Sequence, residues 1–470
     1  MGDLPLTVRD AAAALRAREL TSLELTTAIL KKTKALNPTL GAYIVITEDS
    51  ALSEAAAADE KFAAGIDLGP LQGIPYCTKD NIATKDAPTT ANSLVLDPAW
   101  GDGWDAPVIQ RLRAAGGVHM GKTVLNEFAL GLPDPLKPFP MPKNPWDLER
   151  SASGSSSGTG IAVSAGLALM GLGTDTGGSI RGPGSWNGHT SIKATFGRVP
   201  KSGCVPLGYS LDNIGPHARS AWDCAAALQV LAGYDPTDPC AANVAVPDYT
   251  AGLDGSVAGL RIGLPLDYFF SAAGLDAEVK TAVLKAVDAL REAGAIIVEV
   301  DLPHAAEAKD ANTVTMACEA FAYHAEDLAS RKDDYGQFTW KGLMRGAFYM
   351  GSDFVQAQRF RTYWRRKVAQ VMTSVDVLVT PSSPTPAAIR SEMTPDSFLI
   401  APGFTPQWNL TGLPALVVPV GFSSGTHLPL SMQIIGKPFA EATVFKVADA
   451  YQQLTNWHLS VPPIAAEVPA

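Results

Sequence analysis

The chain has no unbroken apolar run of about 18 residues, the length that crosses a bilayer as a helix, so no membrane span is expected. Cysteine is scarce. The five residues Cys77, Cys204, Cys224, Cys240 and Cys318 are odd in number, scattered, and form no CxxC pair. That argues against a disulfide framework or a structural zinc site and predicts free thiols in a reducing compartment. Basic residues are the minority, with a formal net charge of −10. Nucleic acid and anionic membranes both reward a basic surface, so neither is expected as a partner. The opening MGDLPLTVRD has no basic segment leading into an apolar one, so it lacks the pattern of a secretory leader. A cytoplasmic location follows as the expectation. The seven histidines are dispersed, and none stands in the context of a catalytic triad.

Hydrophobic residues make up 46% of the 470 positions, ample for a large core. Residues 1–65 read as helical, with Thr7/Asp10 and Thr21/Glu24 at capping-box spacing. Gly and Pro at 66–75 end that opening, and Cys77–Asn81 reads as irregular. A Pro-dense loop at 133–145 runs into the small-residue tract 151–160. A helix is expected over 159–168, and strands over 169–173, 260–264, 296–300, 375–380 and 415–420. Asp276 starts a helix that Gly294 stops, and 441–454 is a last amphipathic helix. Strands alternating with helices, without a linker, predict one α/β domain over 1–470 around a central sheet. Residues 301–370 read as a helical insertion on the substrate side. Its stretch 321–364 is far richer in aromatics, among them Phe338, Trp340 and Phe348, than the 8% of the whole chain. Two roles are open for it: the core of a helical subdomain, or an apolar wall over the active site.

Three segments carry chemistry: Gly73-Ile-Pro-Tyr-Cys-Thr-Lys-Asp80, Ser153-Gly-Ser-Ser-Ser-Gly-Thr159, and Gly173-Thr-Asp-Thr-Gly-Gly-Ser-Ile-Arg181. A serine after two glycines has an uncrowded backbone whose N–H groups can converge on a developing oxyanion. A serine hydroxyl needs a base, and a lysine serves if burial keeps it neutral. Lys79 follows an uncharged stretch, Leu71–Thr78, that suits this demand. Gly154–Gly158 also fits G-x-S-x-G, with Ser156 as nucleophile, but a Pro-rich loop precedes it where a strand is required.

Taken together, GSSSGTG, GTDTGGSIRGP and the upstream GIPYCTKDN segment resemble the amidase-signature family. The likeness continues in Ser210-Leu-Asp-Asn-Ile-Gly-Pro216 and Asn409-Leu-Thr-Gly-Leu-Pro-Ala415, so it spans nearly the whole chain. It implies a mixed sheet of about eleven strands flanked by helices, with no metal and no cofactor. It implies Ser179 as nucleophile, Lys79 as base, and Ser155, in a cis conformation, as the proton relay between them. Backbone N–H groups of Thr176, Gly177, Gly178 and Ser179 would form the oxyanion hole, while Ser156, Asp175 and Arg181 support the loop. Ser153 and Ser157 replace glycines usual in the family, and His189, Ser191 and Ala194 depart from its more apolar pattern, so substrate specificity does not transfer. The aromatic segment points to bulky or aryl amides and carbamates (urethanes). The alternatives are a glutaminase-type subunit of an amidotransferase complex, or a non-catalytic scaffold. The expected partner is a small-molecule amide or carbamate alone, with no nucleic acid and no membrane, bound by a monomer or homodimer.

Overall fold

The computed structural model describes residues 4–394 and 396–467. Eleven strands form one mixed sheet. They are β1 (Tyr43–Ile46), β2 (Pro75–Lys79), β3 (Val118–Thr123), β4 (Met170–Asp175), β5 (Thr190–Lys193) and β6 (Asn213–Ala218), then β7 (Arg261–Leu264), β8 (Ile296–Glu299), β9 (Val377–Pro381), β10 (Ala415–Phe422) and β11 (Pro429–Gly436). Their order across the sheet is β1-β3-β2-β4-β6-β5-β10-β11-β9-β7-β8. The pairs β2/β3, β2/β4, β7/β8 and β7/β9 run parallel and the others antiparallel. This is the α/β mixed sheet that the resemblance implies.

Local chemistry explains the elements that start where expected. The helix Ser22–Leu40 opens on Thr21, whose side chain accepts from the Glu24 N–H while Glu24 bonds back to the Thr21 N–H. The helix Ala277–Glu292 opens on Asp276, which accepts from the N–H groups of Glu278 and Val279. Gly294, at φ +101°, then turns the chain into β8. One expectation fails close to the chemistry. Residues 75–79 are a buried strand, not an irregular stretch. β2 lies between two parallel neighbours, so its non-alternating sequence is that of a strand covered on both faces.

Parallel β2 and β4 are in register at Thr78↔Leu172. Their C-terminal ends therefore emerge together at one edge, where open α/β sheets build their sites. β2 delivers Lys79 there and β4 delivers Asp175. The helices Ala305–Ser330 and Gln337–Met344 stand over that edge on a small core of Phe128, Leu207, Tyr335 and Leu343, whereas Gly351–Val371 buries Ala357, Trp364 and Val368 in the main core. No helix among the described residues is long and apolar enough to cross a membrane.

Candidate active site

Lys79 is fully buried, and its Nζ is 2.8 Å from Ser155 Oγ and 2.7 Å from Thr174 Oγ1. Both partners are neutral hydroxyls. Burial pushes the Lys79 pKa down to about 7, and the negative charges of Asp175 and Asp212 and the Cys204 thiol recover only part of the drop. Ser155 comes from the loop before the helix Ser157–Ser164, and the Gly154–Ser155 peptide is cis. Its carbonyl accepts from the Asn126 N–H at 3.2 Å.

Ser179 is half-buried at the floor of a cavity of about 500 Å³ that Ser155 also lines. Its carbonyl accepts from the Ser156 N–H at 3.2 Å, which ties the two loops together. Ser156 itself is fully buried. Its hydroxyl is engaged with the Thr174 backbone, accepting from the N–H and donating to the carbonyl, each at 3.2 Å. That position removes it as a nucleophile and makes it a brace. Histidine supplies no base. His189 and His217 form a buried pair at 2.9 Å, and burial followed by the charge of Lys79 lowers His217 to about 3.

Asp175 and Arg181 form the support beneath the loop. Burial alone would raise the Asp175 carboxyl, but the Arg181 guanidinium overrides it and holds the group well below the usual carboxylate range. Asp175 also accepts from the N–H groups of Gly178 (2.8 Å) and Ile180 (3.1 Å) and from Asn409 Nδ2 (2.8 Å). Gly178, one of the four expected oxyanion donors, is thus already engaged in this structure. Its N–H points into the support, whereas among the described residues no protein acceptor takes the N–H of Thr176, Gly177 or Ser179. Two carbonyls of the loop are tethered as well: Thr176 to Asn312 Nδ2 (3.3 Å) and Gly177 to Thr405 Oγ1 (2.8 Å).

Sequence alone does not single out Thr174, Asp212, Asn409, Asn312 or Thr405 as site residues. Thr174 sits inside GTDTGGS, and Asp212 and Asn409 sit inside the SLDNIGP and NLTGLPA segments, so a signal existed for those three. Asp212 accepts from Thr176 Oγ1 at 2.6 Å, and burial raises its own pKa to about 6. Asn312 and Thr405 stand in sequence with nothing to mark them.

The cavity walls include Leu130, Trp186, Leu207, Met316, Phe338 and Phe404. Among the described lining residues only Arg345 and Glu392 are ionisable, and Arg345 is paired with Asp396 at 2.6 Å. The aromatic wall expected from 321–364 reduces to Phe338. Tyr335 and Trp364 are buried in cores, and Phe348 is 83% exposed. Aromatic density predicted a packed helical unit better than it predicted a pocket lining.

A family model described as Amidase matches residues 24–445. A glutamyl-tRNA(Gln) amidotransferase subunit from Chloroflexus aurantiacus is 41% identical, over 97% of this chain and 98% of that protein. The solved native peptide amidase of Stenotrophomonas maltophilia is 32% identical with a TM-score of 0.82, covering 96% of this chain and 98% of its own. The corresponding glutamyl-tRNA(Gln) amidotransferase subunit from Thermotoga maritima, also solved, is 30% identical with a TM-score of 0.82, covering 99% of both chains. These relatives correct one expectation, that of a lone monomer or homodimer with a small-molecule partner and no link to nucleic acid. Proteins named as subunits, and after a tRNA, match nearly the whole chain. Net charge reports an averaged field and says nothing about a surface that meets another protein.

Proposed function

The chain belongs to the amidase family of C–N hydrolases, and from that premise we propose that Ser179 forms an acyl-enzyme with Lys79 as base and Ser155 as relay. Ser179 Oγ attacks the carbonyl while its proton passes to Ser155 Oγ and the Ser155 proton passes to neutral Lys79. The tetrahedral oxyanion lies against the N–H groups of Thr176, Gly177 and Ser179. The C–N bond then breaks, and the amine leaves with a proton from Ser155, which Lys79 replaces. Water attacks the acyl-enzyme by the same route and releases the acid. A carbamate would leave an alkoxycarbonyl-enzyme, and its hydrolysis yields the alcohol and carbon dioxide. The observation that carries this reading is Lys79, buried without a carboxylate partner and held 2.8 Å from Ser155 Oγ.

Within that chemistry, the pocket supports bulky or aryl amides and carbamates. Free glutamine carries an ammonium and a carboxylate, and each needs a charged or hydrogen-bonded partner once buried. The lining is largely apolar, and its ionisable groups among the described residues are Glu392 and Arg345, the latter already paired with Asp396. The relatives support a second reading, a glutaminase-type subunit of an amidotransferase that works with partner chains. The 41% identity over nearly the full length favours it more directly than the pocket favours the first. The intact Lys79, Ser155 and Ser179 argue against a scaffold.

One experiment separates these. p-Nitroaniline release from a bulky anilide and from a matched carbamate is compared with ammonia release from glutamine, in wild type and Ser179→Ala. The first reading expects anilide or carbamate turnover that falls by about 10⁴ or more in the variant. Glutamine turnover with neither of the others cleaved would replace it with the second reading.

Gly178 supplies a further check on the loop. Its φ of +133° is open to glycine, and a Cβ there would run into the Thr405 side chain. Gly178→Ala is expected to slow fluorophosphonate labelling of Ser179 by about tenfold or more. An unchanged rate would show that the loop does not need this conformation.

A further inference from the structure

Asn312, on the helix Ala305–Ser330, is 2% exposed and yet lines the cavity. Its Nδ2 donates to the Thr176 carbonyl at 3.3 Å. A carbonyl can only accept, so this bond fixes which way the side-chain amide is turned. Oδ1 is then the free end, and among the described residues no donor reaches it. It sits over the bare α-carbon of Gly177. A Cβ built there would lie 3.3 Å from Oδ1 and would meet no other atom within 4 Å. Oδ1 is therefore an acceptor that opens onto the cavity with no protein donor among the described residues, left to solvent until a ligand brings one. The neighbouring hydroxyls do not fill this role: Thr313 donates to Lys309 O at 3.1 Å, and Thr405 to Gly177 O at 2.8 Å.

We propose that Asn312 Oδ1 accepts a hydrogen bond from an N–H on the acyl portion of the substrate. Asn312 is then a specificity-determining residue for amides that carry such a donor, as N-acylated aminoacyl amides do. The leaving amine is served from Ser155, which Lys79 holds on the β2 side of the site. Asn312 reaches the loop from the separate helix above it, at Thr176 and Gly177, and so meets the part of the substrate that stays on Ser179. Bulk and apolarity alone would not make this selection. The inference rests on the acyl-enzyme reading above.

The test uses two anilides that differ in one atom: N-acetyl-phenylalanine p-nitroanilide and its O-acetyl-phenyllactic counterpart, in which the N–H is an ester oxygen. Rates are normalised to uncatalysed hydrolysis of each. Wild type is expected to favour the N–H compound by about tenfold in kcat/KM, the scale of one neutral hydrogen bond. Asn312→Leu should bring that ratio close to one, and both compounds should lose kcat because the Thr176 tether is also gone. A wild-type ratio near one overturns the proposal without any variant, so a misfolded Asn312→Leu does not shield it. A ratio that survives in folded Asn312→Leu overturns it too. Wild type that is labelled at Ser179 by a fluorophosphonate but cleaves neither anilide overturns the bulky-amide reading, and the inference with it.

Discussion

Lys79→Met is expected to lower kcat/KM on a cleavable anilide by about a thousandfold, the scale of a lost general base. Methionine keeps the length and apolar bulk of the stem, so the packing at the end of β2 survives and the loss belongs to the amine. The same amine dictates the pH dependence. A lysine brought to about 7 by burial is protonated below that pH and cannot take the Ser155 proton. kcat/KM should therefore be low in acid, climb through neutral pH and level off above it. Steady-state rates across pH for wild type and Lys79→Met check both statements. Lys193 controls for a generic effect of buried lysines. Burial, aided by Arg181, also brings it to about 7, but its Nζ is held by the carbonyls of Ala194 and Leu413 and contacts neither serine. A variant at Lys79 with wild-type rates would remove it from the mechanism.

Arg181→Leu should destabilise the fold by about 3–5 kcal/mol, because it strands the Asp175 carboxylate in the interior. The pair is fully buried, and Arg181 Nη2 lies 3.0 Å from Asp175 Oδ1 and 2.6 Å from Asn409 Oδ1. Such a loss is a large share of the roughly 5–15 kcal/mol that holds a typical domain folded. Denaturant midpoints should fall sharply in Arg181→Leu and recover in part when Asp175→Asn removes the orphaned charge. A single variant as stable as wild type would mean that the support beneath the loop tolerates an unpaired charge.

The parts of the fold legible in sequence are those whose signals are local. Thr21, Asp276 and Gly294 mark helix ends through their own side chain or backbone, and 441–454 is amphipathic throughout. β5, β6 and β11 escape notice because their buried positions are polar. Thr190, Ser191, His217, Ser431 and Gln433 break the apolar pattern of an interior strand and find distant partners, as where Gln433 Nε2 donates to Thr380 Oγ1 at 2.9 Å, although His217 Nε2 has none among the described residues. The proposed reacting groups stand out in sequence because glycines, serines and a lysine in close spacing have few structural reasons to occur together. Asn312 and Thr405 do not, since each is one polar residue in an ordinary context and acquires its role only when the chain brings it to Thr176 and Gly177. The engagement of the Gly178 N–H is hidden for the same reason. Nothing local shows that Asp175 turns back to take the Gly178 N–H.

The most direct test of Lys79 acting through Ser155 on Ser179 is the pH dependence of Ser179 phosphonylation by a fluorophosphonate, in wild type and Lys79→Met. It reads activation of the nucleophile without any assumption about substrate. The account predicts a wild-type rate that rises with a midpoint near pH 7, the value to which burial brings Lys79, and a variant slower by orders of magnitude. A wild-type rate that is flat from acid to alkaline pH, or a variant labelled as fast as wild type, would contradict it.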